Sequence, residues 1–419
     1  MLLQVVVLGN GITGVTAAIG LRALRPDWRI TIVSGESTYH YSRPALMYVF
    51  MGHMRYQETK PYPDRFWSEQ GLELVRAWVD RIDPEAKVLE CRDGSKIPYD
   101  RLLIATGAKS NKFGWPGQDL MGVQGLYNLM DLRLLAANAE RARRAVLVGG
   151  GLIGVELAEM LKTRGIDVTF LVRESSYWNN ILPPEESAMV TELLREEGLD
   201  LRLETELDEI LDDGSGRCRG VRTKGGEEIP CEIVGLTAGV SPNLSALRGS
   251  GIPCGRGVLV DWGLKTQVED VWAAGDCAEI QTEGEGRNLI QQVWYTGKAQ
   301  GEVAARALAG EEVRYTPRTW FNSAKFFDLE YQVYGFVPPK KGEENHHFWI
   351  DADGKKSLRI VEKEGQVLGI QVMGMRLRHL VCERWLKEER SLEYVLSHLY
   401  EADFDPEFFS RSLIGEVTA

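Results

Sequence analysis

Residues 4–24 read QVVVLGNGITGVTAAIGLRAL. Val5, Val6, Val7 and Leu8 form an unbroken apolar run, as expected of a strand buried on both faces of a parallel sheet. Gly9, Gly11 and Gly14 follow in G-x-G-x-x-G spacing, and Val15, Ala17, Ala18 and Leu21 then carry the apolar face of a helix. A second strand is expected at 30–33, and an acid, Glu36, stands about 20 residues beyond the last glycine. Each part has a physical purpose. Gly9 permits the tight turn, Gly11 lets backbone approach a pyrophosphate, and Gly14 lets the helix lie close to the strand. The helix N-terminus adds free N–H groups and a partial positive charge. The acid can hold a ribose diol. In this order the parts predict a dinucleotide site.

The same unit recurs at 144–174, RAVLVGGGLIGVELAEMLKTRGIDVTFLVRE. A strand is expected at 145–148, a turn with Gly149, Gly151 and Gly154, a helix to about 163 and a strand at 168–172. Two dinucleotide sites imply two dinucleotides, and the obvious pair is a flavin and a nicotinamide. Two shorter stretches fit this reading. YDRLLIATGAKS, 99–110, runs a strand into Thr106-Gly107, and VEDVWAAGDCAEI, 268–280, runs one into Gly275-Asp276. An acid at the mouth of a parallel strand can hold a ligand hydroxyl. From about residue 320 the pattern changes to antiparallel strands, with turns at Asp353-Gly354 and Glu364-Gly365 and short helices near 377–387 and 392–399.

Composition narrows the function classes. The 44 glycines exceed the usual share of ~7% and suit tight turns and close ligand approaches. A net charge of −12 disfavours non-specific nucleic-acid binding. No apolar run reaches the ~18–20 residues of a membrane span, and the N-terminus reads as a strand rather than a signal peptide. Cys91, Cys218, Cys231, Cys254, Cys277 and Cys382 are scattered, with neither C-x-x-C nor metal-ligand spacing, as expected of reduced thiols in a cytoplasmic protein. His346-His347 falls in an expected strand, where neighbours point to opposite faces, so no metal site is expected there.

The ordered set G-x-G-x-x-G, A-T-G, G-x-G-x-x-G-x-E and A-x-G-D resembles the FAD-dependent pyridine nucleotide–disulfide oxidoreductase superfamily over residues 1 to about 318. GESTYHYSRPAL, 35–46, is most similar to the branch without a redox cysteine. That branch holds rubredoxin and ferredoxin reductases, the flavoprotein part of nitrite reductase and apoptosis-inducing-factor-like proteins. The resemblance implies an α/β fold of two Rossmann-like dinucleotide-binding domains, glutathione reductase-like, plus a C-terminal α+β domain. It implies an FAD domain at 1–115 and 248–318, an NAD(P)H domain at 116–247 and the C-terminal domain at 319–419. By the same resemblance Gly9, Gly11, Gly14 and Glu36 hold FAD, although the family's acid stands one residue earlier, where this chain has Gly35. Arg43 and Pro44 match an Arg-Pro pair near the flavin, Thr106 and Gly107 the turn flanking it, and Gly275 and Asp276 the ribityl-binding acid. The region 292–308, opening at Val293 and Trp294, matches a helix that faces the flavin pyrimidine. Gly149, Gly151 and Gly154 hold NAD(P)H, and Glu156 stands near the nicotinamide and the flavin N5 with Tyr48. Relatives offer a lysine where this chain has Met47 and Tyr48, and the His-Glu pair of disulfide-reducing members has no match.

No cysteine precedes Cys91, so the cysteine relay of those members has no counterpart near 39–50. Electrons are therefore expected to leave the flavin directly, to a small rubredoxin or ferredoxin-type carrier. Two alternatives stay open: an NAD(P)H oxidase or quinone/small-molecule reductase, and a non-enzymatic redox-sensing or assembly flavoprotein. Carriers of this kind are acidic, so docking calls for local cations; Arg43, Lys109, Lys112, Arg376, Arg378 and His379 are the candidates. After the second unit's last strand, Arg173 can grip a 2′-phosphate while Glu174 repels it, a balance tipping slightly to NADH over NADPH. The oligomeric state stays open.

Overall fold

Chain contacts in the computed structural model, which describes residues 3–282 and 286–404, divide the protein into two compact units. The first takes the described parts of 1–111, 125–137 and 239–317, and the second those of 112–124, 138–238 and 318–419.

In the first unit, Gln4–Leu8 pairs in parallel with Arg29–Val33 on one side and Arg101–Ile104 on the other. Leu72–Val75 and Val271–Ala273 complete a five-stranded sheet at its two edges. Val5, Val6 and Val7 are fully buried because the strand is central and covered on both faces. The helices Ile12–Leu24 and Trp294–Leu308 pack on this sheet and on each other. A small antiparallel sheet, Val79–Asp83 with Val88–Cys91 and Lys96–Pro98, was not legible in the sequence because its strands are only three to five residues long.

In the second unit, Arg144–Val148 lies between Asp167–Leu171 and Ile233–Leu236, with Asp200–Arg202 and Val123–Gln124 at the edges, all parallel. The helix Leu152–Lys162 follows the first of these strands. The later part of the chain forms a five-stranded antiparallel sheet ordered Phe321–Phe326, Leu329–Gly335, Gln366–Met373, Ser357–Lys363 and Asn345–Ile350. The expected Glu364-Gly365 turn joins two of these strands, and both residues have positive φ, 54° and 85°. The edge strand Phe321–Phe326 escaped the sequence reading; half its residues are polar and it is fixed by its neighbour. The expected 392–399 helix breaks at His398, whose φ of −117° is not helical, giving Leu392–Ser397 and Leu399–Ala402.

A buried ion cluster ties this antiparallel sheet to the helix Pro184–Glu196. Arg359 donates to Glu186 at 2.8 and 2.9 Å and to Glu185 at 2.7 Å, with Arg359 3% and Glu186 0% exposed. Its third nitrogen meets His346 Nδ1 at 3.2 Å, and Phe348 lies 4.6 Å beneath the guanidinium. The fork geometry of arginine satisfies both carboxylates at once, which makes so deep a charge tolerable.

Candidate functional site

In the first unit, Gly9 has φ +121°, and a Cβ there would run into the Ala105 carbonyl. A Cβ on Gly14 would strike the Gly9 carbonyl, so the helix can start this close to the strand only with glycine. Gly11 caps the helix with no side-chain hydrogen bond, and among the described residues, its two chain neighbours aside, nothing lies within 4 Å of a would-be Cβ. The turn thus presents open backbone N–H groups to its surroundings. Asn10 anchors it by donating to Ser37 O at 2.8 Å and Oγ at 3.0 Å, and its carbonyl meets His40 Nδ1 at 2.8 Å. Burial is the main reason that the His40 pKa is lowered.

The expected residues Glu36, Arg43 and Asp276 lie along one chain of contacts. Glu36 accepts from Arg43 at 2.7 Å, from the Leu129 amide at 2.9 Å and from the Tyr41 hydroxyl. Arg43 also donates to the Tyr127 carbonyl at 3.2 Å, and its guanidinium stacks over the rings of Tyr41 and Tyr127 at 5.5 and 5.1 Å. Tyr127 OH donates to Asp276 Oδ2 at 2.9 Å and accepts from the Ala108 amide at 2.9 Å. Burial raises the pKa of Asp276, with the Tyr127 bond opposing, and pushes both tyrosine hydroxyls up, so they stay protonated donors. Tyr41 and Tyr127 were not singled out in the sequence, where nothing marks them as partners of distant acids.

Thr106 Oγ1 donates to the Asn243 carbonyl at 2.8 Å, and Gly107 turns with φ +69° beneath the Tyr127 hydroxyl. Gly275 has φ +79°, and its amide donates to buried Gln300 at 2.7 Å, which joins the Asp276 turn to the helix Trp294–Leu308. Val293 is the extended N-cap of that helix, and Trp294 is exposed, edge-on to Tyr295 at 5.4 Å. Pro44 is the second residue of a short 3-10 turn, Arg43–Ala45. Tyr48 is exposed and stacks on His53 at 6.2 Å.

The second unit repeats the turn. Gly149 has φ +119°, and a Cβ there would stand 2.8 Å from the Thr237 carbonyl. Gly151 caps the helix without a side-chain bond. Tyr177, fully buried and unmarked in the sequence, donates to the Gly151 carbonyl at 2.9 Å; its hydroxyl, at 3.0 Å, is among the atoms closest to where a Gly154 Cβ would stand. Glu156 lies on the helix that follows, where desolvation and then the neighbouring Glu159 push its pKa up to about 7. Arg173 Nε donates to Glu174 at 2.7 Å on the surface.

Of the expected docking cations, Arg43, Lys112 and Arg376 are each paired with a carboxylate: Glu36, Asp119 and Glu330. Lys109 and Arg378 are exposed. Burial raises the thiol pKa of Cys218 to about 11 and of Cys382 to about 12, and those of Cys231 and Cys277 are raised as well. Among the described residues no helix is long and apolar enough to cross a membrane.

A family model described as pyridine nucleotide-disulphide oxidoreductase matches residues 3–301. The chain is 31% identical over 334 residues to the 5,5'-dehydrodivanillate O-demethylase ferredoxin reductase subunit of a Sphingobium species, covering 79% of this chain and 81% of that one. It is 29% identical over 405 residues to rhodocoxin reductase of Rhodococcus erythropolis, covering 96% and 93%. Its fold superposes on a ferredoxin reductase crystal structure from Rhodopseudomonas palustris with a TM-score of 0.80 at 22% identity, covering 99% of this chain and 100% of that one.

Proposed function

The chain belongs to the pyridine nucleotide-disulphide oxidoreductase family, and on that premise we propose an FAD-dependent NAD(P)H oxidoreductase that passes electrons directly to a separate ferredoxin- or rubredoxin-type carrier. The observation that carries this reading is the occurrence of two open glycine turns in a chain whose Cys218, Cys231, Cys277 and Cys382 thiols are held away from the thiolate form by burial. Disulfide exchange needs a thiolate. The relatives named above carry the names ferredoxin reductase subunit and rhodocoxin reductase, the first of which supports the same acceptor class.

The first site fits FAD. Its turn is open at Gly11, and Asp276 Oδ2 is held by Tyr127, leaving Oδ1 for a ligand hydroxyl. In this reading 1–115 with 248–318 forms the FAD domain, 116–247 the NAD(P)H domain and 319–419 the C-terminal domain; residues 405–419 lie outside the described residues. Gly9, Gly11 and Gly14 take the pyrophosphate by backbone N–H groups. Asp276 holds the ribityl chain, with Gly275, Thr106 and Gly107 shaping the turns beside it. Glu36, with three of its roughly four acceptor positions filled, offers the last to the adenosine ribose. Arg43 and Pro44 border the isoalloxazine, and Val293 and Trp294 start the helix facing its pyrimidine edge. When bound, FAD accepts a hydride from NAD(P)H and releases electrons singly. Gly149, Gly151 and Gly154 seat the coenzyme, with Arg173 and Glu174 at its adenosine ribose. Glu174 already engages Arg173, which weakens any grip on a 2′-phosphate and favours NADH. Glu156, whose carboxyl desolvation pushes up to about 7, would in its protonated form donate to the nicotinamide carboxamide, and Tyr48 would stand beside the flavin. We place the enzyme in the cytoplasm, where its thiols stay reduced.

The experiment is anaerobic reduction of the purified FAD-loaded protein by NADH and NADPH, followed by turnover with ferredoxin, rubredoxin, quinone or oxygen. Fast turnover with a carrier and slow turnover with oxygen and quinone is expected. Equal speed with oxygen or quinone would instead identify an oxidase or small-molecule reductase, and no reduction by either coenzyme a non-enzymatic flavoprotein.

A further inference from the structure

We propose that Trp178 binds the coenzyme at the second glycine turn, its indole N–H donating to the pyrophosphate. This rests on the reading of residues 149–154 as the NAD(P)H turn. Trp178 adopts φ +57°, a left-handed conformation uncommon outside glycine. Its carbonyl accepts from Ile181 at 3.0 Å and Leu182 at 2.9 Å, which fixes that conformation. The residue before it, Tyr177, is bonded to the Gly151 carbonyl at 2.9 Å, so the turn and the tryptophan are positioned together. The indole packs against Phe326 at 5.7 Å and Tyr331 at 5.6 Å, which makes the antiparallel sheet one wall of the same site.

Nε1 stands 3.9 Å from where a Cβ on Gly151 would lie, and among the described residues, the two chain neighbours of Gly151 aside, no other atom lies within 4 Å of that point. Nε1 is a donor only, and among the described residues no hydrogen bond from it is formed. The helix Leu152–Lys162 starts beside it with no side-chain cap, so its first N–H groups also face that space. Donors converging on the open side of a glycine turn match an anionic, acceptor-only group, and the pyrophosphate is the coenzyme's one group of that kind common to NADH and NADPH.

The test is calorimetric binding of ADP-ribose to the FAD-loaded full-length protein. Trp178→Phe keeps a ring against Phe326 and Tyr331 and removes the donor. It should weaken ADP-ribose binding about tenfold, as losing a hydrogen bond to a charged group does, with flavin content and unfolding temperature unchanged. Unchanged affinity would overturn the proposal. So would a loss in Trp178→Ala that Trp178→Phe fully restores, since packing alone would then explain the effect. Absence of ADP-ribose binding by the wild type would overturn the coenzyme reading and this proposal with it. Should the variants not fold, the indole N–H resonances of the wild type decide: among the 11 tryptophans one should move downfield on adding ADP-ribose, and no such shift overturns the proposal.

Discussion

Glu156 and Tyr127 each make a residue-scale claim that can be measured. Desolvation raises the Glu156 pKa from 4.5 to about 7. The folded protein therefore holds this proton more tightly than the unfolded chain. Stability is lost as pH rises from the ordinary carboxylate range to about 7, and the loss is constant above that. Glu156→Gln should stabilise the fold at pH 8 by on the order of 1–3 kcal/mol in denaturant unfolding and leave its stability nearly unchanged at pH 4.5. Equal effects at both pH values would show that no ionisation is penalised there. In stopped-flow reduction, Glu156→Ala should slow electron uptake from NADH more than it weakens FAD retention. Tyr48→Phe should change that rate by no more than one lost hydrogen bond, about 0.5–1.5 kcal/mol. Tyr127→Phe strands the Ala108 amide and removes the donor to Asp276, so FAD should dissociate more readily, by about 1–3 kcal/mol in a fluorescence titration.

At the scale of elements, the two strand–turn–helix units are separable by mutation. A Cβ at Gly9 meets the Ala105 carbonyl, and one at Gly149 meets the Thr237 carbonyl. Gly9→Ala should lower flavin content on purification. Gly149→Ala should leave flavin bound and abolish its reduction by NADH; loss of flavin in both variants would mean the turns do not act independently. The buried cluster under the antiparallel sheet behaves differently. Arg359→Ala leaves Glu186, 0% exposed, without its cation and should destabilise the fold by about 3–5 kcal/mol in denaturant unfolding. The double change Arg359→Met with Glu186→Gln should recover much of that loss, because the only charge left without its partner, Glu185, is half-exposed.

At the scale of the whole molecule, a net charge of −12 repels an acidic carrier. Arg43, Lys112 and Arg376 are already neutralised by neighbouring carboxylates. Carrier reduction should therefore stay level or speed up as salt rises to about 0.15 M, where surface charges are largely screened. A steep fall with salt would instead reveal a strong basic docking face.

The sequence by itself determined the two dinucleotide units, the acid at Asp276 and the absence of a cysteine relay near the first unit. Each is a local rule: a strand, a turn needing positive φ and a helix N-terminus follow one another within about thirty residues. It also marked Glu36, Arg43 and Glu156, but not what they touch. Only the tertiary structure decided that Tyr127 holds Asp276 across 149 residues and that Arg359 meets Glu186 across 173. It alone placed Tyr177 and Trp178 at the second glycine turn. Such partners carry no periodicity and no spacing signal. They meet because separately folded strands bring distant side chains to the same place, where burial leaves each polar group dependent on the partner that the fold supplies.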